Sequence, residues 1–379
     1  MADSFRRPLV TFYVITYNQA RFVRQAVESA LAQTFSPMEI LLSDDCSTDG
    51  TFEIIQEVVK GYSGHHRIIL NRNHRNLGLS EHANRIMELA TGELIIAADG
   101  DDVSDPHRTD RCVDVWLKNG RPAAIASLVS CIDAAGNPSQ TKNGAQWFAA
   151  FVAKENETPN ACLLRFSKGG SPRLVSCSAA WTKEMFTAFG PLSPGIWFED
   201  DVMTLRAWLF DRIVFIQESL VSYRSHDSNI FNRVAVATTT VHSRKDAERT
   251  ARTEAQRRRE TLLSFMPDLE LALRQQWITR SVYEELKRQV EIRCRLYRII
   301  EDWWNIGGLE RLALLSFLVR SGRVREVRWC TSRLLPFRVF LALGALWSRV
   351  RTVGSAAGGS VFVTFNAVHP DVMGLVGGA

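Results

Sequence analysis

One segment of the chain sets its architecture: residues 94–102, which read Leu-Ile-Ile-Ala-Ala-Asp-Gly-Asp-Asp. The segment opens with a continuous apolar run of strand length, which indicates a strand buried on both faces in a parallel sheet. Asp99, Asp101 and Asp102 follow at once. Like charges this close repel one another unless a cation or several hydrogen-bond donors compensate them. The segment therefore predicts a buried strand that carries three carboxylates to one edge of a sheet.

Short β-rich runs alternate with amphipathic helical segments before this point. The apolar spacing predicts strands at 9–15, 38–43, 67–71 and 94–98, and helices at 22–31, 51–60 and 80–90. Asp105 and Pro106 are typical of the N-cap and first turn of another helix. This order predicts an α/β fold, in which helices cover both faces of a sheet. Ligands of such sheets bind at the carboxyl ends of the strands.

The second half of the chain is harder to divide into elements. We expect a helix at 201–210, strands at 213–216 and 220–223, and long helices from Lys245 to Trp304 that are broken near Pro267.

Composition indicates a globular protein, since 46% of the 379 residues are hydrophobic and 23% are charged. The 7 cysteines contain no Cys-x-x-Cys pair, which argues against a zinc site or a disulfide framework and favours a reducing compartment. The first ten residues are too polar for a signal peptide. An apolar run of ~18 residues, the length that would span a bilayer, is absent from the sequence.

The acidic segment after residue 98 suits a hard divalent cation. Mg²⁺ and Mn²⁺ take few protein oxygens and leave other positions for phosphate oxygens. An EF-hand calcium loop is excluded because Ser104 stands where the turn glycine is required, and a plain solvated turn stays open. The sequence contains no glycine-rich phosphate loop, so a metal ion must do more of the phosphate binding.

Polar segments follow the other predicted strands as well. Thr16, Tyr17 and Asn18 follow the first strand, and Asp44 and Asp45 follow the second. The residues from Ser43 to Thr51 offer short acceptors that can bind a base or ribose, and an Asx turn that caps the next helix explains them equally well.

These motifs together closely resemble the family 2 inverting glycosyltransferases of GT-A fold. The matching segments are Val14-Ile15-Thr16-Tyr17-Asn18, Asp44 to Thr51, Asn76 to Ser80 with Ala83-Asn84, Ala90 to Glu93, and Asp99-Gly100-Asp101-Asp102. Further on, Phe198-Glu199-Asp200-Asp201 is similar to the family's Glu-Asp motif, and Tyr223-Arg224-Ser225-His226 to its Tyr-Arg-x-His element. The resemblance ends near residue 230.

The resemblance implies a Rossmann-like mixed sheet of GT-A type, and the helical pattern of the later residues adds a C-terminal helical extension. The predicted catalytic domain covers residues 1–235, with a nucleotide-sugar half at 8–120 and an acceptor half at 121–235. A helical region at 236–305 and a basic amphipathic region at 306–379 with a glycine-rich tail follow it.

The resemblance also implies roles for individual residues. The donor-binding residues are Thr16, Tyr17, Asn18, Asp44, Asp45, Asp99, Gly100 and His226. Asp45 supports its loop, and Asp99 and Asp101 bridge ribose, metal and diphosphate. The metal ligands are Asp99, Asp101 and Asp102, and the cofactor is Mg²⁺ or Mn²⁺. Asp200 is the catalytic base, and Glu199 positions it or the acceptor. His226 contacts the diphosphate or metal, or it is a structural histidine.

The implied function is transfer of a sugar, with inversion, from a nucleotide-diphosphate sugar to an acceptor hydroxyl. A UDP-sugar donor and a glycan or lipid-linked acceptor in surface polysaccharide biosynthesis are the expected partners, with no nucleic acid and with a homo-oligomer left open. A sugar nucleotidyltransferase is disfavoured because the first strand lacks a glycine-rich loop. A non-catalytic sugar- or nucleotide-binding protein would have lost the acidic cluster or the base. Trp147, Phe148, Trp181 and Trp197 either contact the acceptor or belong to the core.

Positive charge is concentrated near the end of the chain. The segment from Arg311 to Arg351 contains nine arginines and one acidic residue, Glu326. An amphipathic helix of this kind can lie on an anionic membrane surface, and packing against protein is the competing interpretation. We expect a cytoplasmic protein, on the first interpretation peripheral to the inner face of the plasma membrane.

Overall fold

A computed structural model describes residues 7–139, 157–170, 173–227, 229, 244–302, 305 and 307. Residues Met1–Asn305 belong to one compact unit. The predictions for Trp147 and Phe148, the domain boundary near residue 236 and the basic region beyond Gly307 lie outside the described residues. Within the described ranges, every helix is either too short or too polar to cross a lipid bilayer.

The first 118 residues alternate strands and helices. They are β1 (Val10–Thr16), α1 (Val23–Leu31), β2 (Met38–Asp44), α2 (Thr51–Lys60), β3 (Arg67–Arg72), α3 (Leu79–Leu89), β4 (Leu94–Asp99), β5 (Val103–Ser104) and α4 (Arg108–Lys118). The seven elements predicted between residues 9 and 98 are confirmed to within one residue at each end.

The second half begins with β6 and ends with three helices. Its elements are β6 (Ala124–Ile132), α5 (Pro159–Ser167), a 3₁₀ turn (Ser176–Ser178), β7 (Ala179–Thr182), α6 (Lys183–Phe189), α7 (Glu199–Phe210), β8 (Ile213–Arg224), α8 (Arg244–Leu263), α9 (Phe265–Arg274) and α10 (Arg280–Asp302).

The strands of the described residues form one mixed sheet in the order β3-β2-β1-β4-β7-β6-β8-β5. β3, β2, β1 and β4 run parallel, whereas β7 lies antiparallel between β4 and β6. This arrangement confirms the predicted α/β class, with a mixed sheet and helices that follow it.

Alternate side chains of the central strands enter two cores, because successive residues of a strand point to opposite faces. Phe12 and Ile40 pack with Val23 of α1 on one face. Tyr13 packs on the other face in a core that includes Leu269 of α9. The C-terminal helices thus contribute to the main core.

Two helix starts differ from the prediction. α4 begins at Arg108, because Asp105 and Pro106 form a turn in which Asp105 Oδ1 accepts the N–H of His107 at 2.8 Å. α7 begins at Glu199 instead of residue 201, which places three acidic residues in its first turn. Acidic groups are favourable there because the positive end of the helix dipole faces them.

Two further boundaries were wrong. The two strands predicted at 213–216 and 220–223 are one strand, β8, whose pairing with β6 shifts register between Ser127 and Val129. The break predicted near Pro267 lies at Ser264 instead. Pro267 falls in the first turn of α9, where its missing N–H costs no helical hydrogen bond.

A buried ion pair fastens the C-terminal helices to α7. Arg206 Nε lies 2.8 Å from Asp268 Oδ2, and both side chains are nearly inaccessible to solvent. A second guanidinium nitrogen of Arg206 donates to the carbonyl of Gly190 at 2.7 Å. This ion pair therefore joins α9 to α7, the helix whose first turn carries Glu199 and Asp200.

Candidate active site

The carboxyl ends of β1, β2 and β4 meet at one edge of the sheet. Thr16 is in register with Asp44, and Ile15 with Asp99. The structure therefore brings together the polar segments that the sequence places after separate strands.

Asp44 anchors the loop that follows β2. Its carboxylate is fully buried, and it accepts hydrogen bonds from Thr16 Oγ1 at 3.2 Å and from the Ser47 N–H at 2.9 Å. The Asp44 side chain thus sets the shape of the loop, and Tyr17 remains 48% exposed at its rim.

Asn18 joins the loops after β1 and β2. Its backbone N–H donates to Ser47 Oγ at 2.8 Å, and its Oδ1 accepts the N–H of Thr48 at 2.9 Å. The residue has a φ of 52°, a left-handed conformation that asparagine tolerates better than most residues.

Asp45 holds the segment before α3. Its carboxylate accepts hydrogen bonds from Asn73 Nδ2 at 2.8 Å, from the Leu77 N–H at 2.9 Å and from the Gly78 N–H at 3.0 Å. Asp45 therefore ties the loop after β2 to the segment before α3.

Gly100 lies against the end of β1. A Cβ atom at this position would come within 2.6 Å of Thr16 Cγ2 and 2.5 Å of Gln19 Oε1. The acidic segment can approach β1 this closely only because residue 100 has no side chain.

The three aspartates of the acidic segment separate into two groups. Asp99, Asp102 and Cys177 each offer one ligand atom, and these atoms lie within 4.8 Å of one another. Asp101 turns instead to the loop after β8, where its Oδ2 lies 2.9 Å from His226 Nε2 and 3.3 Å from Asn229 Nδ2.

The carboxylates of the first group, Asp99 and Asp102, are buried and close to other carboxylates. Burial, followed by repulsion from Asp101 and Asp200, raises the pKa of Asp99 to about 8. Burial and the neighbouring Asp101 and Asp99 carboxylates raise the pKa of Asp102 well above its usual value. Asp102 Oδ1 accepts the Arg224 N–H at 2.8 Å, whereas its Oδ2 is buried and has no hydrogen-bond partner among the described residues.

Such a set of oxygens fits a divalent cation, which would compensate the repulsion and supply the missing partner. The Cys177 thiol, whose pKa is raised by burial and by Asp102 and Asp99, lies beside these oxygens.

Arg108 is a charged group of this site that the sequence interpretation missed. It is fully buried and donates to the Ala97 carbonyl at 2.7 Å and to Ser104 Oγ at 3.0 Å. Its charge lowers the pKa of Asp99, against the larger effects of burial and the other carboxylates. A signal was present, because Arg108 continues the buried stripe of Cys112 and Trp116 at helical spacing.

Ser176 was also missed, and it positions both residues of the Glu-Asp motif. Its backbone N–H donates to Asp200 Oδ1 at 2.9 Å, and its hydroxyl donates to the same oxygen. The Ser176 hydroxyl also lies 3.3 Å from Glu199 Oε1. No local sequence pattern links a serine to a carboxylate 24 residues away.

Glu199 and Asp99 line one cavity together with Tyr13, Ser176 and Trp181. Burial, then the charges of Asp200 and Asp99, raise the pKa of Glu199 well above its usual value. Carboxylates that arrive from β4 and from the first turn of α7 therefore face the same space.

The two described tryptophans of the predicted acceptor region differ in environment. Trp181 is 2% exposed and belongs to the main core, although it lines the cavity. Trp197 is 44% exposed and immediately precedes the Glu-Asp motif.

The profile of the family described as Glycosyl transferase family 2 matches residues 11–183 of this chain. That range contains β1 to β7 and the acidic segment. Residues 11–183 therefore contain a domain of the glycosyl transferase family 2 type, as the motifs predict.

Individual relatives agree with this assignment. Chondroitin synthase of Escherichia coli is 34% identical over 142 residues, which are 38% of this chain and 20% of that protein. An uncharacterized glycosyltransferase of Nostoc, alr2836, is 24% identical over 83% of this chain and 95% of its own length. The chain thus spans about a fifth of the E. coli synthase.

A solved mannosyltransferase from Pyrobaculum calidifontis, in complex with GDP-Man and Mn²⁺, has 18% sequence identity and a TM-score of 0.48. The match covers 91% of this chain and 89% of that one.

Proposed function

We propose that this chain transfers a sugar from a nucleotide-diphosphate sugar, with a UDP-sugar favoured, to an acceptor hydroxyl with inversion at the anomeric carbon. The single observation that carries the proposal is the convergence of Asp99, from the acidic segment, and Glu199, from the Glu-Asp motif, on one cavity. The sugar leaves the donor and joins the acceptor at one place, so the side chains that act on the donor and on the acceptor must face the same cavity. The family match over residues 11–183 supports the same activity.

Asp99 and Asp102 would hold the divalent cation, Mg²⁺ or Mn²⁺. Asp101, whose Oδ2 contacts His226 in this structure, would contribute the third carboxylate to the ion. The buried Asp102 Oδ2 without a partner and the raised pKa values of Asp99 and Asp102 favour a cation at this edge. When bound, such an ion stabilises the negative charge that develops on a departing diphosphate. His226, which contacts Asp101, either orients this carboxylate or joins the ligand set.

Thr16, Tyr17, Asn18 and Asp44 would form the nucleoside site. Their loops are tied together by hydrogen bonds between Asn18 and the segment after β2, so the site is organised without ligand. The exposed ring of Tyr17 provides a face on which a base can stack.

Asp200 would act as the general base. Its carboxylate accepts two hydrogen bonds from Ser176, which favour the ionised form and fix its orientation. It removes the proton of the acceptor hydroxyl as the hydroxyl oxygen attacks the anomeric carbon and the bond to the diphosphate breaks. Attack and departure on opposite faces of the sugar produce inversion. Glu199, which shares the Ser176 hydroxyl, would position the acceptor or Asp200.

Surface polysaccharide or glycan biosynthesis is the process we propose for this reaction, with a glycan or lipid-linked acceptor. The similarity to a chain named chondroitin synthase supports it, over the 142 aligned residues.

A thermal-shift panel of nucleotide sugars, each with and without Mn²⁺, tests the proposal. A true donor binds the folded state alone and raises Tm by mass action. We expect one UDP-sugar to raise Tm in the presence of Mn²⁺ and EDTA to abolish the effect. That donor should then release UDP faster when an acceptor glycan is added. Absence of stabilisation by every nucleotide sugar would exclude transferase function, and stabilisation without UDP release would favour a binding protein.

A further inference from the structure

The start of α7 is bordered by aromatic rings that carry arginines. Trp197 and Phe198 directly precede Glu199 in the chain. The guanidinium carbon of Arg257 lies 3.3 Å from the centroid of the Trp197 ring, and that of Arg258 lies 4.4 Å from the Phe198 ring. Stacking of this kind holds a guanidinium in place and leaves its edge available for hydrogen bonds.

A third arginine approaches from the segment before Ser176. Arg173 forms an ion pair with Asp201. Burial, followed by repulsion from Arg258, lowers the pKa of Arg173 to about 10, against the opposing charge of Asp200, and Arg293 adds to the repulsion. Its buried Nε has no hydrogen-bond partner among the described residues. Arg173 and Arg258 therefore lie close enough to repel each other, and Asp200 offsets this repulsion only in part. An added oxyanion would reduce the remaining repulsion.

The carboxylates in this neighbourhood do not neutralise all of these cations. Glu254 pairs with Arg258 at 3.1 Å, and Asp201 pairs with Arg173. Arg257 forms no ion pair within the part of the chain that the structure describes, and burial lowers its pKa against the opposing charges of Glu254 and Glu260. A half-buried guanidinium that is fixed on an indole and forms no ion pair there can receive an oxyanion.

We infer that Arg257, with Arg258 and Arg173, binds an oxyanion of the acceptor, so that the acceptor is a glycan that carries carboxylate or phosphate groups. The inference rests on the proposed function, because it takes Asp200 as the base that faces the acceptor hydroxyl. The planar fork of arginine matches both carboxylate and phosphate. The exposed part of Trp197 provides apolar surface next to the charge, on which a sugar ring can lie.

The test compares three probes of similar size by isothermal titration calorimetry, each with and without UDP and Mn²⁺. The probes are neutral maltotetraose, tetragalacturonate as the carboxylate source, and maltotetraose phosphate as the phosphate source. We expect an anionic probe to bind more tightly than maltotetraose by about tenfold or more, the value of one hydrogen-bonded ionic contact. Whichever of the two anionic probes binds more tightly shows whether the acceptor carries carboxylate or phosphate groups.

Matched variants assign the effect to the site. Arg257→Gln should weaken binding of the anionic probe about tenfold. Arg252→Gln removes the same charge from an exposed position of the same helix and should leave binding unchanged. UDP affinity in the presence of Mn²⁺ should be the same in both variants.

Three results of the binding measurements with the glycan probes would overturn the inference. They are equal binding of maltotetraose and the anionic probes, absence of binding by both anionic probes, and equal effects of the two substitutions. A loss of UDP affinity in Arg257→Gln alone would also overturn it, since the arginine would then serve the donor. Failure of the wild-type protein to bind any UDP-sugar would count against the proposed function instead, because the probes are also measured without nucleotide.

Discussion

His226 Nε2 lies 2.9 Å from Asp101 Oδ2, although 125 residues separate the two in the chain. The contact closes the loop after β8 onto the acidic segment after β4. Both side chains are almost inaccessible to solvent, and the imidazole also packs against the Phe22 ring at 4.3 Å. Asp101 is thus held in place by a residue from the far end of the sheet.

Substitution of His226 should weaken metal-dependent donor binding. We expect His226→Gln to reduce the affinity for UDP in the presence of Mn²⁺ by about tenfold to a hundredfold, because partners that orient metal ligands have effects of this size. Calorimetry at saturating Mn²⁺ measures it. His65→Gln, an exposed histidine before β3, is the control. Wild-type affinity in His226→Gln would leave this histidine with a structural role only.

Asp200→Asn should abolish transfer and spare the donor site. Loss of a general base lowers kcat by about 10²- to 10⁴-fold, while the UDP-sugar should bind as it does to the wild-type protein, because Asp200 lies on α7 and the nucleoside loops follow β1 and β2. Steady-state kinetics and calorimetry on the same samples separate the two quantities. Turnover within twofold of wild type would remove Asp200 from the mechanism.

Ser176→Ala should move the acidic limb of the pH–rate profile. Burial raises the pKa of Asp200 above its usual value, and the hydrogen bond from the Ser176 hydroxyl partly opposes this effect. Without this hydrogen bond the pKa rises, so the base becomes protonated at a higher pH and activity falls earlier as the pH decreases. Ser178→Ala is the control, since its hydroxyl donates to the Val175 carbonyl. Superimposable profiles for the two variants would contradict the prediction.

His82 should make the protein less stable in acid. Burial lowers its pKa from 6.5 to about 4, against the opposing charges of Asp45 and Asp44, while Ser43 Oγ lies 2.7 Å from its Nε2. Between these two values the unfolded chain binds the proton and the folded chain does not. Above pH 6.5 the neutral, buried His82 makes its full contribution to the free energy of unfolding. This contribution, about 3 kcal/mol, is lost as the pH falls toward 4.

Urea denaturation at several pH values measures this contribution. We expect His82→Gln to lose less stability than wild type as the pH falls over that range, whereas His65→Gln should follow the wild-type curve. Parallel curves for all three proteins would show that His82 does not titrate as described.

Disruption of the Arg206–Asp268 pair should destabilise the fold. Asp268→Ala leaves a buried guanidinium without its partner, a change that costs about 3–5 kcal/mol in the free energy of unfolding. Glu270→Gln, at an exposed position of the same helix, should have little effect. The double variant Arg206→Met with Asp268→Leu should recover most of the loss, because both charges are then removed. Equal stability of Asp268→Ala and Glu270→Gln would show that the pair contributes nothing.

Elements of the first hundred residues could be predicted because their signals are local. β1, β2 and β4 are buried along nearly their whole length, so continuous apolar runs mark them. Thr16, Asp44 and Asp99 could be placed at one edge because parallel strands end together. The motif order supplied Glu199 and Asp200 as the acceptor-side residues, although their helix starts earlier than predicted.

Tertiary structure decided the rest. β7 has only four residues and no periodicity to reveal it, and it exists because β4 and β6 pair with it on either side. The hydrogen bonds from Ser176 to Asp200 and the contact of His226 with Asp101 join residues that are far apart in the chain. The spacing of residues in a sequence determines only which side chains lie next to one another on the same strand or helix. Whether a side chain is buried beside a charge from a distant segment depends on how the strands and helices pack. The raised pKa of Asp99 and the guanidinium of Arg257 on the Trp197 ring follow from that packing.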